Sequence, residues 1–405
     1  MSGLTERGLR QRVRELLRIC HPDDPDVDQF AFRGAQFDHG LALVHFPEGS
    51  GGLGLSAKMQ RIINDELENS TRTHYRDLTI NLIGIGMAAP TILTYANPDL
   101  RLSMLRPIFT GQEIWCQLFS EPGAGSDVSA LATRAVASSD GWVVNGQKVW
   151  TTFAHQARWG MLLARTDPDL PKHKGLTYFI LDMQAPGVDV RPLYQITGEA
   201  EFNEVFLTDV KISDAHRLGD RGNGWKVAIT TLMNERVAIG GGRGPRRKPI
   251  DFLIDLWREQ QKSETSQEQP VLRDRIAGLV IEARLLDVTS RRAAASRKNG
   301  NPGPEGSVGK LAIAELNQRI FQTCMEVLGP KSLTYNPGYE LRRPGDATYD
   351  LPDRAMHRYL RSRSATIEGG TSEIMRNILG ERVLGLPPEP QEDRNKPWSE
   401  IRRGN

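Results

Sequence analysis

The stretch CQLFSEPGAGSDVSALATRA, residues 116–135, separates two kinds of sequence pattern and contains the most informative turn of the chain. A short apolar run ends at Phe119, and two glycines then occur in the Gly-Ala-Gly-Ser segment from Gly123 to Ser126. Glycine has no Cβ, so such a turn lets backbone N–H groups approach a bound phosphate or ring edge closely. The stretch therefore predicts a loop that contacts a ligand.

Helical periodicity precedes this stretch, and a different pattern follows it. Leu9, Val13 and Leu16 recur at helical spacing near the start of the chain. Between residues 133 and 212, short β-branched or aromatic runs alternate with turn pairs, and we interpret Asp140-Gly141 and Asn145-Gly146 as turns that bracket a hairpin-like unit. Helical periodicity returns after this region.

These patterns predict a mainly α fold with a central β domain. We predict an N-terminal helical domain over 1–115, a middle β domain over 116–222 and a C-terminal helical bundle over 223–387. Residues 388–405 form a Pro-rich polar tail, which we expect to be mobile or to lie on a neighbouring subunit.

Charge and cysteine content exclude several classes of protein. Lys plus Arg number 52 and Asp plus Glu number 50, so a formal net charge of +2 recruits neither nucleic acid nor an anionic membrane. Three widely spaced cysteines without a CxxC pair argue against a disulfide framework and a structural zinc site. We find no apolar leader and no run long enough to span a bilayer. The sequence predicts a cytoplasmic protein without a metal.

Five segments, in the expected order, resemble the acyl-CoA dehydrogenase family. The stretch at 116–135 resembles the family's flavin-binding signature. The other four are FPEGSGGLGLS at 46–56, VNGQKVWTTFA at 144–154, NERVAIGG at 234–241 and GGTSEIMRNILGERVLGLP at 369–387. The resemblance covers nearly the whole chain, and the co-occurrence of the motifs is far more specific than any one of them.

The resemblance implies an N-terminal helical domain, a middle β-barrel domain and a C-terminal four-helix bundle, with FAD as cofactor. It implies α,β-dehydrogenation of an acyl-CoA thioester, in which a glutamate removes the α-proton while flavin N5 takes a hydride from Cβ. Electrons would pass to an electron-transfer flavoprotein. The implied setting is fatty acid β-oxidation or other lipid metabolism, and the implied assembly is a homotetramer or homodimer.

The resemblance also implies particular contacts. Ser120 stands where the family usually has Thr and keeps a hydroxyl that can bond the isoalloxazine ring, while Thr152 would bond near N5. Trp150 would shield one ring face, and the alternative is an ordinary strand tryptophan in the β core. The residues implied to contact FAD are Gln117, Phe119, Ser120, Gly125, Ser126, Trp150, Thr151, Thr152, Gly329, Thr371 and Glu373, and those implied to contact substrate are Ser126, Asn234 and Arg236.

Two glutamates compete for the role of catalytic base, which must be poorly solvated so that its pKa rises. Most family members carry the base directly before the Gly-Thr of the C-terminal motif. Aligning GTSEI puts Gly369 at that position and Glu368 one residue earlier, so we expect Glu368 to point away from the thioester. A minority, including the isovaleryl and long-chain types, takes its base from a helix of the third domain, where NERVAIGG places Glu235.

We prefer Glu235 as the base, with the backbone N–H of Gly369 polarising the thioester carbonyl. Glu368 as the base, or neither glutamate, stays an alternative. A solvated charge in an early helix turn, paired with a nearby arginine, is the other interpretation of Glu235.

Two departures from the family pattern concern contacts across a dimer interface. Residues 251–275 lack the Arg-x-x-Phe-Gly element that reaches the FAD of a neighbouring subunit. Glu326 and Pro330 stand where a Gln and a second Gly are common. A heterotetramer with a homologous subunit is therefore one possible assembly. An acyl-CoA oxidase or related flavin monooxygenase on the same fold is the alternative enzymatic interpretation.

Overall fold

The computed structural model describes residues 4–72, 81–240, 248–262, 269–295, 306–333, 355–390 and 392–401, without the side chains of 235–240 and 294–295. The chain divides into two compact units. The first comprises Met1–Arg191, Asn203–Glu235 and Asp393–Asn405, and the second comprises Pro192–Phe202 and Arg236–Glu392.

The N-terminal part of the first unit is helical, as predicted. Its helices are α1 (Glu6–Ile19), α2 (Gln29–Asp38), α3 (Gln60–Ser70), α4 (Ala89–Tyr95) and α5 (Pro98–Thr110). The periodic residues Leu9, Val13 and Leu16 of α1 are fully buried, and they pack with Ile63 of α3. Thr5 begins α1 because its hydroxyl accepts a hydrogen bond from the N–H of Gly8 at 3.3 Å.

A buried asparagine connects these helices to the sheet. The Asn81 amide donates to the carbonyls of Ile108 (2.8 Å) and Glu113 (2.9 Å), and its oxygen accepts the N–H of Trp115 at 3.1 Å. Trp115 is the first residue of the first strand. Asn81 therefore fixes the point at which the helical part ends and the sheet begins.

One eight-stranded sheet forms most of the remaining described part of the first unit. Its strands are β1 (Trp115–Leu118), β2 (Arg134–Ser138), β3 (Gly141–Lys148), β4 (Trp159–Arg165), β5 (Leu176–Asp182), β6 (Val188–Pro192), β7 (Asn203–Ile212) and β8 (Arg217–Leu218). The strand order is β6-β7-β3-β2-β4-β5-β8, and β1 pairs with β4 in parallel. Tyr178 and Ile180 of β5 pack with the N-terminal helices, whereas Phe179 and Leu181 face a second core. Both faces of this strand are therefore buried.

One turn prediction is confirmed and the other is wrong. The Asp140-Gly141 pair forms the β2–β3 hairpin turn, in which Ser138 pairs with Gly141. The Asn145-Gly146 pair lies inside β3, at a register shift against β7. A Cβ at Gly146 would lie 2.4 Å from the hydroxyl oxygen of Thr133. Glycine there permits a close strand approach at a bulge and does not make a turn.

The described residues of the second unit are mainly helical. The helices are α6 (Gly224–Gly240), which begins in the first unit, α7 (Pro249–Gln261), α8 (Pro270–Ala295), α9 (Gly306–Leu328), α10 (Ala355–Ser362) and α11 (Ser372–Arg382). Helices α7, α8, α10 and α11 all pack against α9. Leu253, Ile276 and Ile320 lie in the core between them. In the part of the chain that is described, no helix is both long and apolar enough to cross a membrane.

Residues 393–401, within the tail predicted to be mobile or to lie on a neighbouring subunit, pack on the β domain of their own chain. We call Asp393–Ile401 the strap. Trp398 is buried, and its backbone N–H donates to the carbonyl of Leu170 at 3.0 Å. The polar, proline-rich composition gave no sign of this packing, because Trp398 is the one residue of 393–401 that is buried.

The three cysteines are free thiols in different surroundings. Cys116 in β1 and Cys324 in α9 are buried, whereas Cys20 is half-exposed. Burial raises the pKa of the Cys116 thiol and raises that of Cys324 to about 12. Both buried thiols are therefore protonated at neutral pH.

Candidate active site

The two segments with predicted flavin contacts lie side by side in the first unit. The first runs from Gln117 in β1 to Ser120, and the second follows β3 with Trp150 and Thr151. The N–H of Val149 donates to the carbonyl of Ser120 at 3.0 Å. The structure thus brings together residues that are about 30 positions apart in the chain.

A buried ion pair holds the two segments together. Lys148, at the end of β3, is fully buried, and its Nζ lies 2.8 Å from Glu121 Oε1 and 3.0 Å from the carbonyl oxygen of Phe119. The Glu121 carboxylate also accepts the N–H groups of Ala132 (2.6 Å) and Thr133 (2.9 Å). Burial alone would raise the pKa of Glu121, but the Lys148 ammonium and these hydrogen bonds hold it below its ordinary value. The carboxylate therefore stays ionised and holds the glycine-rich loop, residues 122–131, against β3.

Phe119 does not present its ring to solvent. The ring is buried and contacts Tyr178 edge-on, with 5.7 Å between the ring centroids. A contact from Phe119 to a cofactor can therefore involve only its backbone.

Trp150 is unusual in both exposure and backbone conformation. Its side chain is 59% exposed, and its φ of 60° lies in the left-handed region that costs energy for a residue with a Cβ. The next residue, Thr151, is fully buried, and its hydroxyl has no hydrogen-bond partner among the described residues. The Thr151 backbone is fixed by Asn203, whose N–H and side-chain amide both donate to its carbonyl at 3.0 Å. The alternative of an ordinary core tryptophan at position 150 is wrong.

The glycine-rich loop leaves room for another molecule. A Cβ built at Gly123 or Gly125 would meet no atom within 4 Å, so no contact among the described residues requires glycine at these positions. Gly125 and Ser126 are exposed. An open glycine turn, an exposed aromatic ring and a buried unpaired hydroxyl fit a flavin nucleotide. The residues of the first unit that would hold it are Gln117, Ser120, Gly125, Ser126, Trp150, Thr151 and Thr152.

Helix α6 carries the preferred base, Glu235, but the side chains of Glu235 and Arg236 lie outside the described residues. One turn earlier, the buried Thr231 hydroxyl oxygen lies 3.0 Å from Tyr178 Oη and 2.9 Å from Thr91 Oγ1. Helical spacing puts position 235 on the same face of α6 as Thr231. The hydroxyl cluster thus fixes the rotation of α6 about its axis just before the candidate base.

A glycine turn precedes α11 in the second unit. Gly369 and Gly370 have φ values of 62° and 96°, which only glycine adopts readily. Lys310 of α9 holds the turn by donating to the carbonyls of Ala365 (2.9 Å) and Gly370. The exposed Gly369 therefore has a fixed backbone orientation.

Glu368 is engaged by an arginine at the surface. Its side chain is 42% exposed, and its Oε1 lies 2.9 Å from Arg361 Nη1. Burial alone would lower the pKa of Arg361, but Glu368 and nearby Glu201 raise it above its ordinary value. A solvated, ion-paired carboxylate lacks the poorly hydrated surroundings that a general base for this chemistry requires.

The structure places the other predicted positions as follows. Thr371 is the N-cap of α11, and its hydroxyl accepts the N–H of Ile374 at 3.1 Å. Glu373 is exposed in the first turn of that helix, and Gly329 follows α9 with a φ of 56°. The Asn234 amide donates to a carbonyl one turn earlier in its own helix. All four of these positions lie at or near helix ends or on α6.

Sequence reasoning missed three residues that organise the site. Glu121 and Lys148 stand inside the segments SEPGAGSD and NGQKVW, and opposite charges beside apolar strand residues are a recognisable signal for a buried ion pair. Asn203 gave no signal, because its contact with Thr151 depends on how β7 enters the sheet.

Two domains of a known protein family match most of the chain. The acyl-CoA dehydrogenase middle domain matches residues 116–210, and the acyl-CoA dehydrogenase C-terminal domain matches residues 222–384. These two ranges contain the flavin-binding signature, the segment after β3, NERVAIGG and all but the last three residues of GGTSEIMRNILGERVLGLP.

Two relatives come from Mycobacterium tuberculosis. Acyl-CoA dehydrogenase FadE34 is 40% identical over 398 residues, which is 96% of this chain but only 52% of FadE34, so this chain spans about half of that protein. Acyl-CoA dehydrogenase IpdE1 is 35% identical over 351 residues, 86% of each chain. Among solved structures, the ChsE4-ChsE5 complex of the same organism matches with a TM-score of 0.67 and 25% identity, over 96% of this chain and 100% of that one. The likeness confirms the predicted mainly helical fold with a central β domain.

Proposed function

The chain belongs to the acyl-CoA dehydrogenase family of oxidoreductases, and on that premise we propose that it dehydrogenates an acyl-CoA thioester between Cα and Cβ with FAD as cofactor. Bound FAD would accept the hydride that leaves Cβ. The observation that supports this best is the exposed Trp150 ring on strained backbone, next to the buried Thr151 hydroxyl and close in the fold to Ser120. Such a surface suits the stacking and hydrogen bonding of a flavin ring.

The cofactor is tested on the purified protein. We expect a yellow preparation with the absorption of protein-bound FAD, and we expect Trp150→Ala to bind FAD more weakly than the wild type. A fully folded, colourless protein that takes up no added FAD would overturn the assignment.

We assign removal of the α-proton to Glu235. Position 235 shares a face of α6 with the buried Thr231, whereas Glu368 is exposed and ion-paired with Arg361. In this scheme the backbone N–H of Gly369 polarises the thioester carbonyl, which makes the α-proton more acidic. Glu368 supports the glycine turn through Arg361 and takes no part in proton transfer.

Stopped-flow reduction of the bound flavin by an acyl-CoA tests this assignment. Glu235→Gln should keep FAD and still bind the thioester, yet reduce flavin about 10²- to 10⁴-fold more slowly, the range that general-base catalysis supplies. Glu368→Gln is the matched control, because it removes a carboxylate of the same kind, and its reduction rate should stay within a few-fold of the wild type. The reverse pattern would show that Glu368 is the base.

We propose an electron-transfer flavoprotein as the electron acceptor and acyl-CoA oxidation in lipid metabolism as the setting. An oxidase that uses molecular oxygen is the second candidate on this fold. Oxygen consumption during turnover distinguishes them. Uptake of one oxygen molecule per thioester oxidised would show that the electron acceptor is oxygen and not an electron-transfer flavoprotein.

We propose that the chain assembles with a second, homologous chain of the family. Helix α8 exposes an apolar stripe formed by Ile281, Leu285 and Val288, whose exposed fractions are 61%, 62% and 65%. Glu326, where a glutamine is common, forms an ion pair with Arg275 of its own chain. A carboxylate at this position is unfavourable for a neighbour's phosphate-bearing cofactor. The ChsE4-ChsE5 complex shows that a relative with this fold pairs two chains.

Native mass and FAD content of the chain expressed alone test the assembly. We expect an incomplete complement of FAD, which a co-expressed homologous chain restores. A stable homotetramer with one FAD in every chain would overturn the proposal.

We place the protein in the cytoplasm. All three cysteines are free, and a net charge of +2 gives no reason for binding to nucleic acid or to an anionic membrane. Recovery of the protein with the cytosolic fraction after cell lysis would support this placement, and recovery with membranes would contradict it.

A further inference from the structure

The strap contacts the part of the glycine-rich loop that follows Ser126. The indole N–H of Trp398 donates to the carbonyl of Ala130 at 3.0 Å. The N–H groups of Trp398 and Ser399 donate to the carbonyls of Leu170 (3.0 Å) and Pro168 (2.9 Å). The strap is therefore bonded both to the loop and to the segment between β4 and β5.

Trp398 also covers Arg165, the arginine that donates hydrogen bonds to carbonyls of the loop. Arg165, at the end of β4, is 2% exposed, and its guanidinium donates to the carbonyls of Ser129 (2.6 Å) and Leu131 (3.1 Å). The guanidinium carbon lies 4.4 Å from the centre of the Trp398 ring. The ring excludes water from the charge while its π face stabilises the cation.

A second contact links the strap to the residue directly after Ser126. Lys172 Nζ lies 2.7 Å from Asp127 Oδ2 in the loop and 2.7 Å from Asp393 Oδ2 in the strap. Burial alone would lower the pKa of Lys172, but the two carboxylates raise it above its ordinary value. The ammonium is therefore charged and bridges the strap to the loop.

From these contacts we infer that the strap positions the glycine-rich loop for its ligands, with Trp398 as the main positioning residue. The inference rests on the proposed function, in which Gly125 and Ser126 contact FAD and the CoA thioester. Trp398 and Asp393 fix the loop on the side where Asp127 and Ala130 lie. Loss of the strap lets the loop move, so FAD and the acyl-CoA bind more weakly while the rate of the chemical step stays the same.

Deletion of residues 391–405 and the single substitution Trp398→Ala test this inference. We expect amide hydrogen exchange over residues 125–131 to become faster in the FAD-free protein, while the α8 and α9 amides keep their wild-type rates. We expect the FAD dissociation constant and the KM for the acyl-CoA to rise by up to about 30-fold, the factor that corresponds to one buried cation–π contact, with kcat nearly unchanged. A synthetic peptide of residues 388–405 should restore slow exchange in the deleted chain, and the same peptide with Trp398→Ala should not.

Trp398→Phe and Trp257→Ala are the matched controls. Trp398→Phe keeps a smaller aromatic ring over Arg165 and loses the indole N–H, so its effects should be smaller than those of Trp398→Ala. Trp257 packs against the core of the second unit, so Trp257→Ala should lower stability without changing exchange over residues 125–131. Because hydrogen exchange needs no substrate, it tests the strap even if the proposed reaction is wrong. Unchanged loop exchange in both the deleted chain and Trp398→Ala would overturn the inference.

Discussion

The glycine-rich loop of the first unit and the Gly369-Gly370 turn of the second are both held by a lysine that donates to backbone carbonyls. Lys148 does this in the first unit and is fully buried, whereas Lys310 does it in the second and is partly exposed. The loop has further buried partners in Glu121 and Arg165. The same kind of bond is therefore made once without access to water and once with it.

The two lysines differ in burial and in partner, because Lys148 also pairs with the buried Glu121 carboxylate, whereas the described bonds of Lys310 go to two carbonyls. Where water can reach a carbonyl, it replaces a lost donor, and the net cost is that of an ordinary hydrogen bond. Where water cannot reach, the partner of the lost group is left as an uncompensated buried charge. We therefore expect the loop to be far less tolerant of substitution than the turn.

The largest effect should come from Lys148→Met, which shortens the side chain by one atom and removes its charge. The buried Glu121 carboxylate then loses its cation, and we expect the free energy of unfolding to fall by about 3–5 kcal/mol. Urea denaturation followed by circular dichroism measures the change. Lys226, an exposed lysine of the first unit, provides the control, and Lys226→Met should stay within about 0.5 kcal/mol of the wild type. If Lys148→Met lowered the free energy of unfolding by less than about 1 kcal/mol, the loop would be no less tolerant of substitution than the Gly369-Gly370 turn.

At acid pH the free energies of unfolding of the wild type and of Lys148→Met should become more similar. In the folded wild type the pKa of Glu121 lies below its ordinary value of 4.5, so its stabilising contribution is present above that pH and falls as the pH drops through the folded pKa. In the variant Glu121 is buried without a cation, so protonation relieves the buried charge. We expect the difference in unfolding free energy between the two proteins to shrink from about pH 7 to about pH 4. A difference that stays constant would show that the ion pair is not its source.

Lys310→Met should have the smallest effect. It removes donors to the carbonyls of Ala365 and Gly370, which lie in a partly exposed segment, so we expect a loss of about 1 kcal/mol. The same denaturation experiment measures this loss. Glu315→Gln is the control, because it removes a surface ion pair between Glu315 of α9 and Arg376. A loss as large as that of Lys148→Met would mean that burial does not distinguish the two regions.

Local patterns were enough to predict much of the fold. The spacing of Leu9, Val13 and Leu16 gave α1, and Asp140-Gly141 gave the first hairpin, because both signals depend on residues close in sequence. Asn145-Gly146 carries the same signal as a turn, but its glycine is explained by Thr133, which directly precedes the neighbouring strand β2. Periodicity and turn chemistry therefore fail where the reason for a residue lies across the sheet.

Part of the candidate site followed from motifs, and its supporting contacts did not. Ser120, Trp150 and Thr151 were placed in one site by resemblance alone, and the structure shows their segments bonded to each other. The pairing of Glu368 with Arg361 could not be predicted, because the two residues are seven positions apart and the sequence does not show which way either side chain points. The packing of Trp398 on Arg165 joins residues more than 200 positions apart and leaves no local trace.

The buried thiols give each unit its own chemical reporter. Cys116 precedes Gln117 in the first unit, and Cys324 lies on the central helix of the second. A thiol with a raised pKa, shielded from solvent, reacts with an alkylating reagent only during moments when its surroundings open. Pulsed alkylation read by peptide mass spectrometry would therefore record how often each unit opens, separately and in the same sample, without introducing a label into the sequence.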